Sequence, residues 1–176
     1  MQRIGIFCAS SNNLNPRFYT EAARLGSWMA AHGRTLVYGG ANCGLMEATA
    51  RAVHEGGGHV IGVTPQILVD NHRVSTYIDE QIITRDLNDR KQQLLDLSDV
   101  IIALPGSLGT LDEAFTVMAA NTIGIHAKRV IFWNIDHFWD GLFRMLDDLR
   151  TTGVVNKPYD DVLLRVDTLE ELTQHL

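Results

Sequence analysis

Cysteine is scarce in this sequence, and long hydrophobic runs are absent. The 176 residues include only two cysteines, Cys8 and Cys43, which excludes a disulfide framework and makes a reducing cytoplasm the expected location. Both are expected to be small buried side chains. No apolar run approaches the roughly 18–20 residues that span a membrane. The apolar stretch over residues 4–9 is too short for a secretory signal and is better explained as a first strand.

Basic residues are outnumbered by acidic ones. The 15 Lys and Arg against 21 Asp and Glu give a net charge of −6, which argues against a nucleic-acid or anionic-membrane binder. Apolar residues make up 45% of the chain, as in an ordinary globular protein. We expect residues 1–176 to form one domain, which at this length buries roughly two thirds of its unfolded surface.

The usual metal and cofactor motifs are missing. The seven histidines show neither an H-E-x-x-H motif nor a Cys/His cluster, so no metal site is predicted. No Gly-Lys-Ser/Thr follows a glycine-rich turn and no G-x-G-x-x-G occurs, so neither a P-loop nor a dinucleotide fingerprint is supported. The only lysines, Lys91, Lys128 and Lys157, lack a motif that would hold pyridoxal phosphate. No cofactor is predicted.

Short apolar runs alternate with helical patterns along the whole chain. Near-continuous apolar runs are typical of parallel strands covered on both faces. The alternation predicts an α/β fold, a doubly wound, Rossmann-like, mostly parallel sheet with helices on both faces. Strands are predicted at residues 4–9, 35–38, 59–63, 100–104, 130–133 and 162–166, with a weaker one at 80–84. Helices are predicted at residues 18–32, 45–55, 87–98, 110–123, 138–151 and 168–176.

Local sequence features mark where several of these helices begin and end. Asn15 before Pro16 is typical of an N-cap followed by proline at the first helical position. Gly33 and Gly153 are expected at the C′ positions, just after the ends of two helices. Thr168 with Glu171 predicts a capping box at the start of the last helix. The one long irregular stretch, residues 64–79, is of a length that often belongs to a site or an interface.

Two predicted strand-to-helix turns are rich in glycine, at residues 38–46 and 104–113. In an open parallel sheet, ligands bind beyond the carboxyl ends of the strands, where helix N-termini present free N–H groups to anions. Glycine lets the backbone approach such a ligand closely, and the Ser107 and Thr110 hydroxyls could add donors. These turns therefore predict a phosphate or sugar-phosphate site, although glycine-rich turns also arise from packing alone.

Charged residues lie near the second turn. Glu113 is predicted in the first turn of its helix, where it would either offset the helix dipole or act as a general base beside a ligand. Asp112 lies about 100° around that helix and is expected to face solvent. Arg90 and Lys91 begin the preceding helix. Their pattern alone indicates a solvated basic pair, yet cations there oppose the dipole, and a bound anion would remove that conflict.

The second turn carries a family resemblance. Its sequence resembles the P-G-G-x-G-T-x-x-E motif of the LOG ("lonely guy") family of phosphoribohydrolases. Similar segments occur in order along nearly the whole chain. The segments are Phe7-Cys8-Ala9-Ser10-Ser11, Val37-Tyr38-Gly39-Gly40, Gly44-Leu45-Met46, His59-Val60-Ile61-Gly62-Val63, Asp89-Arg90-Lys91, Pro105-Gly106-Ser107-Leu108-Gly109-Thr110-Leu111-Asp112-Glu113 and Gly124-Ile125-His126.

The resemblance implies hydrolysis of the N-glycosidic bond of a nucleoside 5′-monophosphate, a cytokinin riboside monophosphate or a nucleotide like AMP, to free base and ribose 5-phosphate. By this resemblance Arg90 and Glu113 are catalytic, and the chain forms a homodimer. The substrate-binding residues that it implies are Lys91, Gly106, Ser107, Leu108, Gly109, Thr110, Gly40 and Met46.

This chain departs from the family pattern at four places. Ser107 replaces a glycine, Asn88 a histidine, and His72 a substrate-contacting glutamate, while residues 119–122 lack a common aromatic. We therefore expect glycosidic cleavage to be retained with an altered base preference. A non-catalytic carrier of nucleotide or molybdenum cofactor, with a similar fold, is the alternative. Retention of both Arg90 and Glu113 counts against it.

Overall fold

A computed structural model of the chain describes residues 2–155 and 158–176. Its centre is a seven-stranded sheet in the order β4-β3-β2-β1-β5-β6-β7, and all of its strand pairs are parallel. The strand order reverses direction at β1, which lies between β2 and β5. The strands are β1 (Arg3–Phe7), β2 (Thr35–Tyr38), β3 (His59–Pro65), β4 (Glu80–Thr84), β5 (Val100–Ala103), β6 (Val130–Trp133) and β7 (Leu163–Val166).

Helices cover both faces of this sheet. One buried cluster joins one face of the sheet to the first two helices and the last, and the other cluster joins the opposite face to the helices that follow β4, β5 and β6. Because side chains alternate along a strand, Ile6 enters the first cluster and Phe7 the second. The helices are α1 (Pro16–Ala31), α2 (Gly44–Glu55), α3 (Gln66–Asp70), α4 (Leu87–Leu97), α5 (Leu108–Thr122), α6 (Asp140–Thr151) and α7 (Leu169–Thr173).

The predicted doubly wound α/β architecture is confirmed, including the weak strand β4. Two predictions need correction. The stretch 64–79 is not wholly irregular, because β3 runs on to Pro65 and the short helix α3 follows it directly. Helix α5 begins at Leu108 rather than near Thr110, because Ser107 has extended backbone angles and serves as its N-cap. Glu113 therefore lies beyond the first turn of α5.

The predicted helix ends are present. Asn15 Oδ1 accepts a hydrogen bond from the Arg17 backbone N–H at 3.0 Å, and Thr168 and Glu171 form a reciprocal capping box. Gly33 and Gly153 adopt positive φ angles of 62° and 76°, which glycine tolerates without strain. Within the described residues, no helix is both long enough and apolar enough to cross a bilayer.

Candidate functional site

A cavity of about 280 Å³ opens at the edge of the sheet where the strands end. Its walls come from the segments that follow the first five strands, where the chain turns into helices. This is the edge at which ligands bind in open parallel sheets, next to the point where the strand order reverses. The lining residues are Cys8, Ser10, Ala41, Met46, Pro65, Ile67, Leu68, Arg73, Leu87, Arg90, Gly109, Thr110 and Glu113.

Arg90 and Glu113 meet inside this cavity. Arg90 Nη1 lies 2.8 Å from Glu113 Oε1, and the two side chains are only 13% and 6% exposed. Arg90 Nε also donates to the Val63 carbonyl at 3.1 Å, and Nη2 to the Gly39 carbonyl at 3.4 Å. Each guanidinium nitrogen therefore has an acceptor, and the interpretation of Arg90 as a solvated cation is wrong.

Gly39 makes this arrangement possible. A Cβ atom at Gly39 would collide with Arg90 Nη2. The backbone of the first glycine-rich turn therefore forms part of the wall against which the guanidinium packs. Glycine is required at this position because the guanidinium approaches the chain closely, and not because of a special φ angle.

The environment of Glu113 changes the proton affinity of its carboxylate. Burial raises the pKa of Glu113 above its usual range, and the adjacent Arg90 charge opposes part of that rise. No described residue donates a hydrogen bond to Glu113 Oε2, whereas Oε1 accepts one from Arg90. A carboxylate with one oriented oxygen and one free oxygen can accept a proton from water or stabilise positive charge on a sugar.

The start of α5 forms another wall of the cavity. Ser107 makes no side-chain capping bond, so the first N–H groups of this 15-residue helix lack the partner that a capping side chain supplies. Gly109 and Thr110 line the cavity. Gly106 lies directly beneath Thr110, because a Cβ there would collide with the Thr110 side chain. The arrangement suits an anion.

Several residues predicted for substrate binding do not line the cavity. Leu108 is 83% exposed. Lys91 is held outside by a 2.9 Å ion pair with Asp112, whose side chain is 55% exposed as expected. Met46 does line the cavity. The predicted residues that are absent from the lining are Lys91, Gly40, Gly106, Ser107 and Leu108.

Arg73 lines the cavity and was missed by sequence reasoning. It lies in the stretch 64–79, whose length was the only sequence feature that pointed to a site. His72, the position where a substrate contact was expected, is exposed, has a φ of 53° and does not line the cavity. His72 has left-handed backbone angles, and the next residue, Arg73, is the one that lines the cavity.

The other departures from the family pattern are also absent from the lining of the cavity. Asn88 is exposed in the first turn of α4. Residues 119–122 lie at the far end of α5, where Asn121 donates to the Lys128 carbonyl at 2.8 Å. None of these residues lines the cavity, so their replacement does not alter its walls directly.

The two cysteines are buried, as predicted. Cys8 lines the cavity, but burial and the Glu113 carboxylate raise its pKa well above the usual range for a thiol. Since the thiolate is the nucleophilic form of cysteine, Cys8 remains a protonated, weakly polar wall of the cavity. Arg73 Nη2 lies 3.7 Å from Cys43 Sγ.

A larger hollow of about 460 Å³ lies at the opposite edge, where strands begin. Its lining includes Asp99, His126 and Lys128. In a parallel α/β fold the helix C-termini converge at that edge, so it lacks free helix N–H groups that would bind an anion. We therefore place the candidate site in the smaller cavity.

Two comparisons of sequence relate the chain to known proteins. Residues 46–176 match the family model described as "Possible lysine decarboxylase". The Arabidopsis thaliana protein named cytokinin riboside 5′-monophosphate phosphoribohydrolase LOG3 is 33% identical over 175 residues, which cover 99% of this chain and 81% of that protein.

Solved structures provide the third comparison. A molybdenum cofactor binding protein from Rippkaea orientalis matches with a TM-score of 0.75 and 26% identity, over 99% of this chain and 94% of that one. The molybdenum cofactor carrier protein of Chlamydomonas reinhardtii has a TM-score of 0.73, with the same coverage of both chains. Its identity is 20%, so this likeness concerns the fold.

Pyridoxal phosphate, which the description of the family model would imply, does not fit the residues present. A decarboxylase of that type needs a lysine in a deep pocket for the Schiff base. Lys91 is paired with Asp112, Lys128 Nζ donates to the Leu95 carbonyl at 2.6 Å, and neither lines the cavity. Lys157 is outside the described residues. The matching family model and the full-length similarity to the phosphoribohydrolases together show that this chain belongs to the LOG family.

Proposed function

We propose that this protein hydrolyses the N-glycosidic bond of a nucleoside 5′-monophosphate. Water adds across the bond between C1′ of the ribose and the base nitrogen, which gives ribose 5-phosphate and the free base. The buried Arg90–Glu113 pair, in a cavity beside the N-terminus of α5, is the observation that carries the proposal. The similarity to proteins named as cytokinin riboside 5′-monophosphate phosphoribohydrolases supports it.

Glu113 has the central role in the proposed reaction. Cleavage of an N-glycosidic bond passes through a sugar with oxocarbenium character, which a nearby carboxylate stabilises. The free Oε2 would also accept a proton from the attacking water as its oxygen bonds to C1′. The leaving base takes up a proton in exchange, so that atoms and charge balance.

Arg90 has a supporting role. A guanidinium does not give up its proton in proteins, so Arg90 is not a general acid. Its hydrogen bond to Oε1 orients the Glu113 carboxylate and keeps more of it ionised than burial alone would allow. The start of α5 would hold the phosphate, with Gly109 and Thr110 closest to it.

The substrate class follows from the same features. The N-terminus of a helix and a cationic cavity favour a monophosphate ester over a neutral nucleoside. The names of the relatives make an N6-substituted AMP the first substrate to test, with AMP beside it. Pyrimidine monophosphates complete the panel, so that the rates across it define the preferred base.

The test compares wild type with Glu113→Gln, and with Asp112→Asn as a matched control on the same helix. Wild type and Asp112→Asn should release base from at least one monophosphate. Glu113→Gln should bind that nucleotide yet turn it over at least ~100-fold more slowly, because general-base catalysis typically contributes 10²–10⁴-fold. Tight binding by the wild type without any product would contradict hydrolysis and support the carrier alternative.

A further inference from the structure

The cavity contains two arginines, and only one of them has an acidic partner. Arg90 is paired with Glu113, and its remaining nitrogens donate to two backbone carbonyls. Each guanidinium nitrogen of Arg90 therefore already donates one hydrogen bond within the protein, and its charge is balanced by Glu113. An incoming phosphate gains little from a cation that is already neutralised.

Arg73 is the other arginine. No described carboxylate lies within 4.0 Å of its guanidinium. Its Nη2 lies 3.7 Å from Cys43 Sγ, and a thiol sulfur is a weak acceptor. Arg73 is an exposed residue, and among the charged residues that line the cavity it is the one without a carboxylate partner within the described residues.

The backbone holds Arg73 at this position. The Arg73 carbonyl accepts a hydrogen bond from the Asn42 N–H at 3.0 Å, and the Arg73 N–H donates to the Leu68 carbonyl at 2.9 Å. The next residue, Val74, forms an antiparallel bridge with Ala41. The segment around Arg73 is thus hydrogen-bonded to the first glycine-rich turn. The same turn contains the Gly39 carbonyl that accepts a hydrogen bond from Arg90.

We infer that Arg73 binds the phosphate of the substrate and makes the site selective for phosphorylated over unphosphorylated nucleosides. This inference rests on the proposed function. It gives Arg73 a role in substrate selectivity that hydrolysis by Glu113 and Arg90 does not itself require. A phosphomonoester carries about −1.5 to −2 charges at neutral pH, and it enters a cavity that already holds the Glu113 carboxylate. Arg73 supplies the opposing charge, and its planar fork suits two phosphate oxygens at once.

The experiment uses Arg73→Met and Arg73→Lys, with Arg85→Met as control. Arg85 lies just after β4, its side chain is 86% exposed, and it pairs with Asp89 outside the cavity, so its replacement removes the same net charge elsewhere. Binding of ribose 5-phosphate and of adenosine is measured by titration calorimetry. Steady-state kinetics with the monophosphate that the wild type cleaves provide KM and kcat.

Arg73→Met should weaken ribose 5-phosphate binding and raise KM by about tenfold to a hundredfold, as expected for loss of a charge-assisted hydrogen-bond pair. Its kcat should stay within about threefold of wild type, because Glu113 and Arg90 are untouched, and adenosine binding should not change. Arg73→Lys keeps the charge but not the fork, and should fall between wild type and Arg73→Met. Arg85→Met should match wild type.

Three results would overturn the assignment. They are unchanged ribose 5-phosphate binding in Arg73→Met, an equal loss for adenosine, or a fall in kcat at constant KM. If Arg73→Met does not fold, Arg73→Lys decides, since it must weaken ribose 5-phosphate binding without affecting adenosine. If the wild type cleaves no nucleotide but binds ribose 5-phosphate through Arg73, the hydrolase proposal fails while the role of Arg73 as an anion ligand stands.

Discussion

Replacing Glu113 and replacing Arg90 should change the free energy of unfolding by very different amounts, although each substitution breaks the same ion pair. In Glu113→Gln a buried carboxylate, whose pKa is raised by burial, becomes neutral. Because burial disfavours the ionised carboxylate, neutralising it should leave the free energy of unfolding at pH 7 no lower than that of the wild type. In Arg90→Met the buried carboxylate loses its counter-ion.

The cost of Arg90→Met is limited by protonation. A glutamate with an ordinary pKa near 4.3 can be neutralised at pH 7 for about 4 kcal/mol and at pH 5 for about 1 kcal/mol, so the penalty for the unpaired charge cannot exceed these values. The Val63 and Gly39 carbonyls also lose a donor, which adds about 1 kcal/mol in total at either pH.

The pH dependence has a definite sign. In Arg90→Met, the folded state binds a proton on Glu113 more tightly than the unfolded chain does, because the folded pKa is raised. Stability is therefore regained as the pH falls through that raised pKa toward the unfolded value. The loss is therefore at most about 5 kcal/mol at pH 7 and at most about 2 kcal/mol at pH 5, so about 3 kcal/mol of it should return at the lower pH. The double variant at pH 7 should lose only about 1 kcal/mol relative to Glu113→Gln.

Urea unfolding followed by circular dichroism at both pH values measures these differences. Lys91→Met and Asp112→Asn are the matched controls. Their ion pair is half exposed at Asp112, and each should change stability by less than about 1 kcal/mol. Glu113→Gln destabilised by about 3–5 kcal/mol would refute the reasoning, because that loss is typical of leaving a buried cation without its partner.

Three further predictions concern pH, the second turn and assembly. In a plot of kcat against pH, the acid limb should lie above the usual pKa range for glutamate, since burial raises the pKa of Glu113. Arg90→Met should move this limb to higher pH, and a limb at or below the usual range in wild type would contradict the assignment. Ser107→Gly should leave kcat/KM within about twofold of the wild-type value, because the exposed Ser107 side chain makes no capping bond and does not line the cavity. A tenfold change in initial rates would show instead that the hydroxyl contacts substrate. Light scattering should give twice the chain mass of 19.6 kDa, since we expect a homodimer and Leu108 and Leu87 are exposed apolar residues beside the cavity; a monomer at micromolar concentration would contradict it.

Much of the fold could be predicted because its determinants are local. Strands that are buried on both faces are nearly continuous apolar runs, and caps such as the Thr168–Glu171 box involve neighbours in sequence. The short helix α3 could not be predicted in this way. It has only five residues, which is too short to show the periodic apolar pattern from which helices are recognised.

The site was predictable only in part, because its contacts join residues that are distant in the chain. The family motif indicated Arg90 and Glu113, but only the fold places their side chains 2.8 Å apart. Lys91 is next to Arg90 in sequence, yet it points away to Asp112. Arg73 has no motif, and reaches the cavity because Val74 bridges to Ala41 across 33 residues.

The most direct test of the central claim is to determine which bond the protein breaks. AMP and an N6-substituted AMP are incubated with wild type, and the products are identified and quantified by chromatography with mass detection. We predict free base and ribose 5-phosphate in equal amounts, with no nucleoside and no inorganic phosphate. Nucleoside together with inorganic phosphate, or an intact nucleotide for every member of the monophosphate panel, would contradict glycosidic hydrolysis.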